Sequence, residues 1–278
     1  MLIFVFIFFS MESVNLNMNK VYENDSVTWI GHSTTLINLN NTLIYTDPIF
    51  SERIIIVKRK IKLPAEKYSF PKADVILISH NHYDHMDIPT IELIGRNALI
   101  ITPKKAGEPL KKRGFNVKEM MWNEKLRYRG LEIVSVKTKH FSGRIPPFDQ
   151  NKSLWSGYVI SSSDHKTIFF AGDTGYFPEL KSVGDKYKID LAILPIGAYK
   201  PRWFMKRAHL NPEEAVILFK EIKAKYMLPV HFGTFQLGLD TTEEALSDLE
   251  KAIEKHKMNR NSIILLKAGE TFPFPTEK

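Results

Sequence analysis

The sequence contains no cysteine. That excludes disulfides and thiolate metal sites, so any metal in this protein must be held by His, Asp or Glu. Long apolar runs are also scarce. The opening stretch, MLIFVFIFF, has nine residues, short of the roughly 20 that a bilayer crossing takes. It has no basic segment ahead of it, as a secretory signal would. The reading stays open between a mis-called start, with Met11 and Met18 just downstream, and a short membrane anchor or truncated export signal. No internal repeat, low-complexity tract or Pro/Gly/Ser linker divides the chain. A GxGxxG turn, a GxxxxGK[ST] loop and a GxSxG elbow are all missing, which leaves dinucleotide, P-loop and serine-nucleophile chemistry without support.

What is present suits a folded protein with one core. The chain has 278 residues, 44% hydrophobic and 25% charged, enough to bury most of its apolar surface without covalent staples. The net charge of +8 is concentrated at residues 58–62, 104–113 and 200–207. Such a surface is either simply solvated or attracts anionic lipids and phosphorylated substrates. No basic run is long or aromatic enough for a nucleic-acid arm, so nucleic acid is not an expected partner.

Short β-branched and aromatic runs recur at 27–30, 35–39, 43–45, 75–78, 99–101, 133–136, 158–160, 168–170, 191–194 and 263–266. Bounded by Gly, Asn, Asp or Pro, they predict buried strands. Helices are predicted from Asn211, which can cap a segment opening with Pro212, Glu213 and Glu214, and over 242–257. Strands come first and later alternate with helices. That order predicts two sheets covered by outer helices, a layered α/β domain over 21–278, with residues 1–20 as an apolar extension.

The chemistry concentrates in Ser79-His80-Asn81-His82-Tyr83-Asp84-His85, directly after the run ending at Ile78. His80, His82, Asp84 and His85 are four metal-binding side chains within six residues. Neutral imidazoles and carboxylates suit Zn²⁺, Fe²⁺ and Mn²⁺. Three unpartnered histidines this close would be costly to bury for structure alone. A loop at a strand end can turn some of them to one ion and the rest to a second.

The HxHxDH pattern resembles the signature of the metallo-β-lactamase superfamily. Further pieces follow in order, each after a strand-like run: His140, the Gly172-Asp173-Thr174-Gly175 segment, and His231. The resemblance implies a four-layer αββα fold of two mixed sheets packed face to face. It also implies two divalent ions, zinc by first expectation with iron or manganese accepted by the same donors. It assigns His80, His82 and His140 to the first metal and Asp84, His85 and His231 to the second, with Asp173 bridging. A shared water would become hydroxide near neutral pH and serve as nucleophile.

More segments are similar to one branch, the N-acylphosphatidylethanolamine-hydrolysing phospholipase D group and its bacterial relatives. They are Gly31-His32-Ser33-Thr34, Thr46-Asp47-Pro48, His140-Phe141-Ser142-Gly143-Arg144, Pro195-Ile196-Gly197-Ala198-Tyr199, Pro201-Arg202-Trp203-Phe204, His209-Leu210-Asn211-Pro212 and His231-Phe232-Gly233-Thr234-Phe235. The catalytic expectation falls on Asp84, Asp47 and His209. Asp47 either orients a ligand histidine or is an Asp-Pro turn residue. His209 either contacts a phosphate oxygen or leaving group or merely leads into the helix cap. His32 stays open between backing the ligands and a structural histidine; His165 and His256 read as surface residues. Substrate binding falls on Arg144 and Arg202 as phosphate clamps and on Tyr199 and Trp203. With Phe204, Phe232 and Phe235, these last two would line an apolar groove.

The resulting expectation is a cytoplasmic metal-dependent hydrolase of a phosphodiester, with a small-molecule or lipid substrate bearing a phosphate and peripheral membrane contact left open. The alternatives are a lactonase or esterase on a phosphorylated metabolite, a nuclease, and a non-enzymatic metal-binding regulator of the same fold. The complete ligand set argues against the last. Nothing in the sequence sets the oligomeric state.

Overall fold

The structure, a computed structural model, describes residues 13–163 and 166–275. The apolar segment at 1–10 and His165 lie outside these residues. A short helix α1 (Met18–Glu23) leads into three antiparallel strands, β1 (Ser26–Gly31), β2 (Thr34–Leu39) and β3 (Thr42–Thr46). After a small hairpin of β4 (Arg53–Ile54) and β5 (Val57–Lys58), β6 (Val75–Leu77) joins β3 in parallel. Helix α2 (Ile88–Ile94), β7 (Leu99–Pro103), α3 (Glu108–Lys111) and β8 (Val117–Met120) extend that parallel edge.

The second half repeats this plan. β9 (Lys125–Tyr128), β10 (Leu131–Val136), β11 (Gly157–Ser162) and β12 (Thr167–Phe170) form an antiparallel meander. After α4 (Ser182–Lys186), β13 (Leu191–Pro195) continues the sheet in parallel. Then come α5 (Arg202–Met205), α6 (Pro212–Glu221), β14 (Tyr226–Val230), α7 (Thr242–Lys255) and β15 (Thr271–Pro273). β14 completes this sheet, whereas β15 crosses back to pair with β1. The result is one mixed sheet of seven strands and one of six, with the β4–β5 hairpin apart.

The two faces of the first sheet explain the layering. Trp29, Ile37, Ile44, Val75, Leu77, Leu99 and Ile101 join the core shared with the second sheet. Their alternating neighbours Ile30, Leu36, Tyr45, Ile76, Ile78 and Ile100 pack instead with Ile91 and Ile94 of α2 and Leu110 of α3. Successive side chains point to opposite faces of a strand, so a strand buried on both sides reads as a continuous apolar run. On the far side, Ala215, Val216 and Phe219 of α6 and Leu249 and Ile253 of α7 cover the second sheet. Helix, sheet, sheet, helix is the four-layer αββα arrangement.

One predicted strand is absent. Residues 263–266 make a single parallel bridge, Ile263 to Met227, with the Ile264 N–H on the Met227 carbonyl at 2.8 Å. Two residues further on, the same edge of β14 presents Pro229, which has no N–H to donate, so the ladder cannot propagate.

Candidate metal centre

The ends of β3, β6, β10, β12, β13 and β14 meet at one edge of the sandwich. The join is direct: the Ser156 N–H donates to the Ser79 carbonyl at 2.8 Å, and the Tyr158 hydroxyl to that of Ile78 at 2.9 Å. Two glycines allow the close approach. A Cβ on Gly172 would stand 2.4 Å from the Ser79 Cβ, and one on Gly197 2.1 Å from the His231 carbonyl oxygen. Three non-glycine residues here take the left-handed backbone region, His32 (φ 53°), Asp47 (φ 34°) and His231 (φ 60°). Such conformations persist where the surroundings over-determine them, and they gather at functional sites.

Seven side chains singled out by the motif converge at this edge. In one group, His80 Nε2 lies 2.8 Å and His140 Nε2 3.4 Å from His82 Nδ1. His80, His82 and His140 each offer a donor atom within 4.8 Å of the others. The outward nitrogens are anchored: His80 Nδ1 meets Ser79 Oγ at 2.9 Å, and His140 Nδ1–H donates to the Ala208 carbonyl at 2.9 Å.

In a second group, Asp84 Oδ2 lies 3.1 Å from His85 Nε2 and 3.6 Å from His231 Nε2. His32 completes this group within 4.8 Å. Asp173 stands between the groups, its Oδ2 at 3.3 Å from His85 Nε2, 3.2 Å from His231 Nε2 and 3.8 Å from His140 Nε2.

His85 Nε2, His231 Nε2 and Asp173 Oδ1 are buried and without a hydrogen-bond partner among the described residues. Buried polar atoms normally find partners, and a divalent cation is the partner this N/O donor set accepts.

Electrostatics follow from the crowding. Burial, reinforced by neighbouring imidazoles, holds His80 and His140 well below the usual histidine range. Burial works against Asp84 and Asp173, yet the surrounding imidazoles, His85 on Asp84 and His231 on Asp173 first, hold both well below the usual carboxylate range. Burial likewise opposes the charge on His231, but Asp173 and Asp84 push it up to about 9. His209 and His32 go the other way, drawn down by burial to about 4 and about 3.

Asp47 is wholly buried beneath the site. It accepts from His85 Nδ1 at 2.6 Å, from the Ser79 N–H at 2.6 Å and from Ser79 Oγ at 2.5 Å. That fixes Nδ1 as the protonated nitrogen and turns His85 Nε2 into the site. His209 is buried at the rim, its unpartnered Nδ1 3.7 Å from Asp173 Oδ2.

The expected substrate residues are placed differently. Arg144 donates to the Asn81 and Met86 carbonyls at 3.2 and 2.8 Å and stacks over Tyr83, bracing the ligand loop. Arg202 donates to the His209 carbonyl at 2.7 Å and pairs with Glu214. The Tyr199 hydroxyl donates to Asp248 on α7 at 2.9 Å. Phe232 stacks on Trp29 within the core, and Phe235 packs edge-on to His32. Only Trp203 and Phe204 are open, 77% and 62% exposed. Of the other histidines, His256 is half-buried and paired with Glu213 at 3.0 Å.

A beta-lactamase superfamily domain matches residues 42–232, the stretch that carries His80, His82, Asp84, His85, His140, Asp173 and His231. The chain belongs to the metallo-β-lactamase superfamily. It is 33% identical over 267 residues to the N-acyl-phosphatidylethanolamine-hydrolyzing phospholipase D 1 of Caenorhabditis elegans, covering 87% of this chain and 74% of that one. A metal-dependent hydrolase of Bacillus cereus is 31% identical over 214 residues, 75% of this chain and 86% of its own length. A metallo hydrolase from Ignicoccus hospitalis shares the fold with a TM-score of 0.68 at 23% identity, covering 91% of this chain and all of that one. The protein is thus a metal-dependent hydrolase of this superfamily. No helix among the described residues is long and apolar enough to cross a membrane.

Proposed function

We propose that the protein hydrolyses a phosphodiester, in a phospholipid or a substrate resembling one, with two divalent cations, zinc by preference. The observation that carries this reading is the pair of donor groups, His80/His82/His140 and Asp84/His85/His231, with the Asp173 carboxylate reaching both. Bound there, cations would supply a water of lowered pKa and neutralise charge developing on a phosphoryl oxygen. The chain's own residues do the rest. Asp47 holds the tautomer of His85, and the Ala208 carbonyl holds that of His140. His209, kept neutral by burial, faces the site with a free Nδ1 and contacts a phosphoryl oxygen or the leaving group.

The phosphodiester is supported by the likeness to the Caenorhabditis elegans phospholipase and by charge. Beside His209, the segment Tyr199-Lys200-Pro201-Arg202-Trp203-Phe204-Met205-Lys206-Arg207 carries four cations, of which Lys200 and Arg202 pair with Glu244 and Glu214 while Lys206 and Arg207 are exposed. Its exposed Trp203 and Phe204 suit a lipid interface, where aromatic side chains enter the headgroup region and cations meet anionic headgroups. A screen against phospholipids, bis(p-nitrophenyl) phosphate and sugar-phosphate lactones, with Asp84→Ala as control, tests the reading. Release of a headgroup or nitrophenolate by the parent alone supports it. Turnover confined to lactones overturns it.

A further inference from the structure

His32 and His209 are buried imidazoles at the site that the ligand motif does not use, and His32 is the one hydrogen-bonded to a carboxylate of that motif. Its backbone is clamped in the left-handed conformation from three sides. The N–H donates to Thr234 Oγ1 at 2.6 Å, and the carbonyl accepts from the His231 N–H at 3.0 Å and Trp29 Nε1 at 2.9 Å. Its ring, only 1% exposed, lies against the rings of His231 and His85, with centroids 4.1 and 5.3 Å away. Nε2 meets Asp84 Oδ2 at 3.0 Å. Because an ionised carboxylate only accepts, that nitrogen carries the proton. Nδ1 is left bare, buried and without a hydrogen-bond partner.

We propose that His32 is a positioning residue for the second metal site, its Nε2–H holding the Asp84 oxygen that faces His85 and His231. The distinction from a ligand lies in which atoms lack partners. His85 Nε2 and His231 Nε2 are unpartnered, whereas His32 Nε2 is already engaged by Asp84. A hydrogen bond to a ligating carboxylate keeps it from swinging away on its loop, and here it falls on the oxygen that faces the histidines. A residue serving only the core would not require a strained backbone, three clamps and an orphaned Nδ1. This assignment rests on the reading that Asp84, His85 and His231 bind metal.

The test compares the parent, His32→Ala, His32→Gln and Asp84→Ala, each stripped by chelation and retitrated with zinc and cobalt. In His32→Ala we expect the weaker of two binding steps to lose about 10–100-fold in affinity. Glutamine, whose amide N–H reaches a similar distance, restores most of it. The cobalt visible bands keep the parent's intensity, because no ligand has been removed. Circular dichroism of the metal-free variants establishes that they fold. Unchanged affinity in His32→Ala, or a change in cobalt band intensity that glutamine does not reverse, overturns the proposal; the latter makes His32 a ligand. A parent that binds no metal, like Asp84→Ala, refutes the metal-site reading itself.

Discussion

At the level of single residues, the site is held by hydrogen bonds that set tautomers. Asp47 is the clearest case, since the one carboxylate fixes His85 and ties down the Ser79 backbone that starts the ligand loop. Asp47→Asn keeps the shape but offers an amide where an acceptor is needed. Metal affinity or turnover is expected to fall about 10–100-fold, measured by chelator competition and by turnover of bis(p-nitrophenyl) phosphate. Protonation adds a second prediction, for the metal-free protein. His32 and His209 stay neutral when folded down to about 3 and about 4. In the unfolded chain they take a proton below the ordinary histidine value of about 6.5. Unfolding therefore binds protons, and stability falls as pH drops from 6.5 towards 4. His231, raised to about 9, has the opposite sign: its contribution is complete below 6.5 and is lost as pH rises through 9. The melting temperature of the metal-free protein should peak near pH 6.5, and a steady rise between pH 7 and 9 would contradict these assignments.

Among the elements, strand ends and one helix cap do the positioning. Asn211 caps α6 with its side chain on the Glu214 N–H, and Glu214 returns a bond to the Asn211 N–H. Through Arg202 the same Glu214 is tied to the His209 carbonyl. Asn211→Ala should cost about 1 kcal/mol, read by denaturant unfolding, with metal content unchanged. Gly197→Ala should do more, because its Cβ meets the His231 carbonyl; loss of metal at the second site is the expected result.

The central strands were legible because both their faces are buried, giving unbroken apolar runs such as 75–78. The short hairpin β4–β5 and the partly exposed β8 and β9 carry lysines, arginines and glutamates, so no apolar pattern marks them. The clustering of His80, His82, Asp84 and His85 was legible for a different reason: several side chains able to bind a metal in one loop have little structural purpose without one. What could not be read was tertiary pairing. Arg144, Arg202 and Tyr199 stood out as free polar groups in the sequence, but Met86, Glu214 and Asp248 occupy them, and those partners are 58, 12 and 49 residues away. His32 was ambiguous likewise, since Asp84 lies 52 residues from it.

In the whole molecule, two sheets bring strand ends from both halves of the chain to one edge, so the site exists only when the sandwich is closed. Binding to the folded state alone must then stabilise the fold, by about 2.7 kcal/mol for one site at a free metal concentration 100 times Kd. Chelation should lower the melting temperature, and added metal should restore it. The basic, aromatic 199–207 segment gives a further expectation. Anionic vesicles should bind the protein, less so at high salt, and Trp203→Ser with Phe204→Ser should weaken that binding in a sedimentation assay. The measurement closest to the central claim is metal content per chain by elemental analysis, before and after replacing Asp173 with alanine. Two divalent ions per chain in the parent, and fewer in the variant, are the predicted result. A parent that holds fewer than one ion after reconstitution would contradict the account.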